Sequence, residues 1–391
     1  MTAMQIQREP AARIRMNRRW LLLSILLASD VAAQEVIPQR GRGGPPREIW
    51  RTAADTQRAK QLYVSKDTID LPKLDSAGHV RWLADRARIE ANFEKFSKGA
   101  YVFEKVSYKS DVDGLEIPAY VFSPIDKRGP RGHAAMVWVH GYVHGRFDDH
   151  FLPFVKEAVA RGYVIVAPNY RGSTGYSRDF YNAIDYGGKE VDDVYSSVAF
   201  IREKLPYVDL ERLGIMGWSH GGFITSHILF RDNQPFKAGA PMVPVTNLFF
   251  RLARSGPGYA RGFSTQPGFQ GLPHEKVQTY IDRSPVFKAA NLKVPVIIHV
   301  ATNDCDVYFW ENQQMVYTLQ ALHPNLTDAK IYKDPPEGNL GGCGHTFMER
   351  VQTSDPNAPN YLQRLDTPEQ IDAWNRIWTF FEKHLNPNKG K

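Results

Sequence analysis

The sequence holds only two cysteines, Cys305 and Cys343, in 391 residues. That is too few for a small disulfide scaffold, so the chain must hold itself together by burying apolar surface. Long hydrophobic runs are equally scarce. The one candidate, Trp20-Leu21-Leu22-Leu23-Ser24-Ile25-Leu26-Leu27-Ala28, is about half of the ~20 residues that span a bilayer. Stable membrane insertion after processing is therefore not expected. No charge of one sign dominates: 49 Lys and Arg face 42 Asp and Glu, for a formal +7. The first 33 residues carry five Arg against Glu9 and Asp30, so the chain without them is only +4. No basic run is interleaved with aromatics, and a nucleic-acid partner is not expected. His274-Glu275 lacks the second histidine of H-E-x-x-H, which argues against a zinc hydrolase of that kind. Neither metal nor cofactor is expected. No internal repeat is found, which excludes solenoids and propellers.

What is there begins with a leader. Arg13, Arg15, Arg18 and Arg19 precede the short apolar core, and Val31-Ala32-Ala33 follows it. A basic region, an apolar core and a small-residue cleavage site make a signal peptide over residues 1–33, so the chain is expected to be exported, periplasmic or secreted. Residues 34–100 read as a Gly-, Pro- and Arg-rich leader, Gln39-Arg40-Gly41-Arg42-Gly43-Gly44-Pro45-Pro46, followed by a helical segment. In that segment Trp82, Leu83, Ile89, Phe93 and Phe96 keep helical spacing.

The main domain is expected over 101–391. Runs from Tyr101 to Tyr108 and from Ile117 to Phe122 flank the turn signal Asp111-Val112-Asp113-Gly114 and read as a hairpin. From Ala134 onward buried strand and helix alternate. Val164-Ile165-Val166-Ala167 is a second central strand. Val191, Val194, Val198 and Ile201 mark one apolar helix face, and Ile371, Trp374, Ile377, Trp378 and Phe381 mark a C-terminal one. This alternation predicts an α/β fold, a mostly parallel central sheet covered by helices on both faces.

Gly217-Trp218-Ser219-His220-Gly221 has the form G-x-S-x-G, with the apolar run Leu213–Met216 before it and a helix-compatible run after it. Strand, sharp turn and helix are the context of a nucleophile elbow, the hallmark of the α/β-hydrolase fold. A serine hydroxyl needs a base, and the base needs an orienting acid; on this fold they follow in the order Ser, acid, His. The apolar run Val294–Val300 leads into Ala301-Thr302-Asn303-Asp304, and Asp306 is a rival acid two residues on. Gly341-Gly342-Cys343-Gly344-His345 is a glycine-rich loop that places a base. The oxyanion of the intermediate needs two donors. The N–H of His220 is one. The loop His140-Gly141-Tyr142-Val143-His144-Gly145 after an early strand offers the other at Tyr142. If Asp304 and His345 meet, Cys305 and Cys343 come together too, and in an exported chain they are expected to form a disulfide.

These motifs together resemble the catalytic domain of the prolyl oligopeptidase family of serine peptidases, over about Val102 to Leu385. Asn169-Tyr170-Arg171-Gly172-Ser173-Thr174-Gly175-Tyr176 is similar to that family's N-x-R-G-S-x-G-Y loop. Gly187-Gly188-Lys189-Glu190-Val191-Asp192-Asp193-Val194 is similar to its G-G-K-E helix start. Gly217–Gly222 matches G-W-S-x-G-G, and Asp304-Cys305-Asp306-Val307 fits D-x-x-V, which favours Asp304 over Asp306. The resemblance implies peptidase chemistry through an acyl-enzyme, with Ser219, Asp304 and His345 catalytic. Two departures stand out: His140-Gly141-Tyr142-Val143 where H-G-G-P is usual, and His299-Val300 where H-G is usual. Relatives often carry a β-propeller that screens substrates by size. Between the leader and the hairpin there is no room for one, so a more open site is expected.

The segment from Leu248 to Pro273 lacks a clear period and lies where this fold often places a lid. Phe249 and Phe250 there, with Tyr308 and Trp310 after the acid loop, are candidate pocket residues; Arg251, Arg254 and Arg261 are candidates for a substrate carboxylate. A small peptide or an ester is the expected substrate. A carboxylesterase would use the same residues, and the altered oxyanion loop and missing propeller suit it; a non-catalytic binding protein on the same fold is the remote alternative. The oligomeric state is not read from the sequence.

Overall fold

Period-two alternation sorts the side chains of the central strands onto two faces. In β3 (His133–Val139), Ala135, Val137 and Val139 enter one core, while Ala134, Met136 and Trp138 enter the other. In β5 (Val208–Trp218), Leu213 and Ile215 go to the first, Met216 and Trp218 to the second. Both faces are apolar because helices cover both. These observations come from a computed structural model, which describes residues 88–388 except Ser177, residues 337–342, Ser354 and Pro356. The segments expected to be a signal peptide and a Gly-, Pro- and Arg-rich leader, with Trp82 and Leu83, lie outside the described residues.

The sheet has eight strands in the order β1-β2-β4-β3-β5-β6-β7-β8. Its other members are β1 (Val102–Lys109), β2 (Glu116–Ser123), β4 (Val164–Pro168), β6 (Ala238–Met242), β7 (Val296–Ala301) and β8 (Thr327–Tyr332). β1 and β2 form the antiparallel hairpin, β2 runs antiparallel to β4, and the remaining pairs are parallel. The helices Lys189–Lys204 and His220–Leu229 cover the first face through Val191, Val194, Ile201, Ile224 and Ile228. The helices Leu152–Ala160 and Pro368–Leu385 cover the second through Phe154, Val155, Trp374 and Ile377. Residues 88–97 are helical, and Phe93 stacks on Phe103 of β1 at 5.1 Å, so this core takes in side chains upstream of residue 101.

Two of the motifs meet in a buried ion cluster. Arg171 holds both oxygens of Asp193 at 2.8 Å and both oxygens of Asp113 at 2.8 and 2.9 Å. The hairpin turn, the loop after β4 and the Lys189–Lys204 helix are thereby locked together. Such a pair is costly to break from one side, because the remaining charge stays buried.

One sequence expectation needs refining. The aperiodic stretch from Leu248 is a helix, Leu248–Ser264, broken at Gly256 (φ 79°, ψ 170°) ahead of Pro257. The break resets the helical phase, which is why no single apolar period runs through it.

Candidate active site

Parallel α/β sheets present their sites at the C-terminal ends of the strands, and three loops converge there. Ser219 follows β5 directly and opens the helix His220–Leu229. Its φ of 53° lies in the left-handed region, which L-residues adopt only under constraint. The flanking glycines are required by packing. A Cβ on Gly217 would sit 2.3 Å from the Gly221 oxygen, and one on Gly221 would sit 2.2 Å from the Val139 oxygen. The serine's own N–H donates to Met242 O at 3.0 Å, tying the turn to the end of β6.

Asp304 stands after β7 and His345 after β8. The Nδ1–H of His345 donates to Asp304 Oδ2 at 2.8 Å. The other oxygen, Oδ1, accepts the backbone N–H groups of Asp306 and Val307, each at 2.9 Å, so the carboxylate is fixed on both sides. Asp306 faces the opposite edge of the imidazole: its Oδ2 is 3.5 Å from Nε2. Burial opposes charge on His345, but Asp304, with Asp306 and Glu349, outweighs it and raises the ring's pKa above its usual value. Nε2 is buried without a hydrogen-bond partner, so no bond joins it to Ser219 Oγ. In enzymes without substrate such a bond is often long and tightens on binding. The base loop is nonetheless pinned to the elbow: Trp218 Nε1 donates to the His345 carbonyl at 3.4 Å. A Cβ on Gly344 would collide with Asn303 Oδ1 at 2.0 Å, so the acid and base loops touch through a glycine.

Cys305 and Cys343 are bonded, with their Cα atoms 6.0 Å apart. The disulfide fastens the acid loop to the base loop one residue after Asp304 and two before His345.

The loop after β3 lies against the serine. A Cβ on Gly141 would meet Ser219 Cβ at 3.5 Å. Tyr142 has φ 61° and its carbonyl accepts the Tyr170 hydroxyl at 2.7 Å, which sets the orientation of the loop. His220 sits in the first turn of its helix, where a backbone N–H has no intrahelical acceptor. Gly141, the residue before Tyr142, thus abuts Ser219 on one side, and His220 follows it on the other.

The sequence reading placed Glu190 in the G-G-K-E helix start but gave it no role. It caps the Lys189–Lys204 helix by accepting the N–H groups of Gly187 and Gly188, and its Oε1 lies 3.5 Å from Nε2 of His220. Burial pushes this carboxyl up to about 8 and holds the His220 ring well below its usual pKa, so it works against charge on both members of the pair beneath the nucleophile. The signal was the acid three residues into a Gly-Gly helix start. His299, the second departure, is a core residue against Tyr332, its pKa lowered to about 3 by burial.

The four pocket candidates divide. Phe249 packs on Tyr280 and Phe287, within the apolar layer. Phe250, Tyr308 and Trp310 are exposed, and the Arg254 guanidinium lies over the Tyr308 ring at 4.4 Å. Of the three arginine candidates, Arg251 and Arg254 reach the acid loop: Arg251 Nη1 donates to Asp306 O at 3.4 Å and Arg254 Nη1 to Cys305 O at 2.6 Å. Arg261 makes no such contact.

Comparison with known proteins places this geometry. The sequence model described as prolyl oligopeptidase family matches residues 150–336. The uncharacterized peptidase YuxL of Bacillus subtilis is 29% identical over 285 residues, covering 72% of this chain and 39% of that protein. Dipeptidyl aminopeptidase BIII of Pseudoxanthomonas mexicana is 29% identical over 223 residues, 56% of this chain and 32% of that protein. The chain thus spans well under half the length of these curated relatives. Among solved structures, the acylaminoacyl peptidase of Pyrococcus horikoshii superposes with a TM-score of 0.59 at 24% identity, over 77% of this chain and 44% of that one; this likeness shows the fold.

Proposed function

We propose that this chain, which has an α/β-hydrolase fold and matches the prolyl oligopeptidase family model over residues 150–336, is a serine peptidase of that family that acts through an acyl-enzyme. The observation that carries this reading is the elbow: a strained serine between two obligatory glycines, beside an Asp304–His345 pair locked by a disulfide. Ser219 Oγ attacks the scissile carbonyl and its proton passes to His345 Nε2. Asp304 keeps the Nδ1–H tautomer in place and stabilises the imidazolium. The N–H groups of His220 and Tyr142 hold the oxyanion. His345 then protonates the leaving amine, and water repeats the sequence on the acyl-enzyme.

The substrate is a small peptide. An ester substrate is the second reading, favoured by the altered H-G-Y-V loop with its exposed Tyr142. The same proposal includes export with removal of residues 1–33. One preparation tests both points. The mature chain, recovered from an exporting host, should begin near Gln34 and should cleave peptidyl or aminoacyl p-nitroanilides. A chain that retains Arg13 to Leu27 would refute processing. Turnover confined to p-nitrophenyl acyl esters would make the protein an esterase.

A further inference from the structure

We propose that Arg251 binds a carboxylate of the substrate, so that the site selects acidic peptides. The inference rests on the hydrolase reading above and deepens it.

The helix that carries Arg251 starts beside the nucleophile. Val245 N–H, just after β6, donates to the Ser219 carbonyl at 3.4 Å. Glu311 Oε1 accepts the N–H groups of Thr246 and Asn247, at 2.5 and 2.9 Å, which nails this helix start to the helix Phe309–Leu322 behind the acid loop. Arg251 follows one turn on, its N–H bonded to Asn247 O at 3.1 Å. The position is thus fixed by the same frame that fixes Ser219 and Asp304.

Its guanidinium is half-buried and held, yet it lacks a counter-ion. Nε donates to the Tyr259 hydroxyl at 3.1 Å, and among the described residues Nη1 makes only the 3.4 Å contact with Asp306 O and Nη2 makes no hydrogen bond. Among the described residues no carboxylate pairs with it. Burial works against its charge, but the surrounding Tyr186, Tyr259, Asp306 and Glu311 keep it protonated. After burial, the charge of Arg251 is the largest influence lowering the pKa of His220, the residue after the nucleophile.

The chain holds this arginine by an unusual device. Along an unbroken helix Tyr259 would lie about 12 Å beyond Arg251. The break at Gly256–Pro257 brings the phenol back to Nε. A guanidinium braced through Nε leaves its two Nη groups as a fork, the geometry that takes a carboxylate by two parallel hydrogen bonds. An unpaired, partly buried charge is unfavourable until such a partner arrives. Arg254, one turn further along, adds a second positive charge over the acid loop.

The carboxylate has two sources: the side chain of Asp or Glu supplying the scissile carbonyl, or the free C-terminus of a short peptide. Two pairs of substrates separate them. The first is acyl-Glu against acyl-Gln p-nitroanilide. The second is a peptide with neutral side chains ending in a free carboxylate, against the same peptide amidated. The wild-type chain should prefer the charged member of one pair by about 10- to 100-fold in kcat/KM, the scale of a charged hydrogen bond. Arg251→Gln should bring that ratio close to one. Arg251→Lys, which keeps charge but loses the fork, should fall between. No preference in either pair, or a preference that survives Arg251→Gln, overturns the proposal while turnover of the neutral members leaves the hydrolase reading standing. No turnover of any substrate, with no fluorophosphonate labelling, overturns both.

Discussion

Asp304→Asn is expected to lower kcat by about 10⁴, the scale seen when a triad aspartate becomes an amide. The reason is geometric. Asp304 receives the Nδ1–H of His345 at 2.8 Å and is itself held by two backbone N–H groups at 2.9 Å. An amide in that frame keeps the shape but can present its NH₂ to Nδ1. The imidazole then carries its proton on Nε2, where the base must be free to accept one. Asp306→Asn makes the contrast. Asp306 faces Nε2 at 3.5 Å, away from the Nδ1–H bond that orients the ring, so kcat should change by less than about tenfold. What should move is the pH profile. A general base works when deprotonated, so activity rises with pH through the His345 pKa, which lies above its usual 6.5 partly because of Asp306. Removing that negative charge should shift the acid limb of kcat/KM to lower pH. If Asp306→Asn instead costs as much as Asp304→Asn, the two acids have been assigned the wrong way round.

The disulfide carries the second large effect. A bond closing a separation of 38 residues stabilises by about 4 kcal/mol at most in the chain-entropy model. Its position gives it a catalytic consequence as well. It joins the loops that carry acid and base, which among the described residues also meet through the Gly344–Asn303 contact, where Gly344 N–H donates to Asn303 O at 3.3 Å, and through the Nδ1–Oδ2 hydrogen bond. Reduction should therefore lower activity at temperatures where the chain remains folded, because His345 loses its position before the core opens. Circular dichroism and turnover measured side by side across a reductant series would show this. A Cys305→Ser/Cys343→Ser variant with wild-type kcat and wild-type melting would remove the bond from the account.

The sheet was legible in the sequence because its strands are buried on both faces and its helices keep one apolar stripe. Ile371 shows the limit: it keeps the spacing of Trp374, Ile377 and Phe381 but is exposed. Ser219, Asp304 and His345 were legible because an elbow, an acid after a buried strand and a glycine-set histidine follow in a fixed order. What lay hidden depended on folding between distant segments. Glu190 is a helix cap in sequence, and only packing puts it against His220. Arg251 was one of three arginines in an aperiodic stretch, and the helix break that singles it out acts through Tyr259. The D-x-x-V pattern favoured Asp304 over its neighbour Asp306, and the structure separates them by the edge of the imidazole that each one faces.

The central claim is that Ser219 is the nucleophile, and covalent labelling tests it most directly. The native chain treated with a fluorophosphonate probe should gain one adduct by intact mass, mapped by peptide sequencing to the segment containing Gly217-Trp218-Ser219-His220-Gly221. The Ser219→Ala chain should gain none. An adduct on another residue, or labelling that persists in Ser219→Ala, would contradict the account.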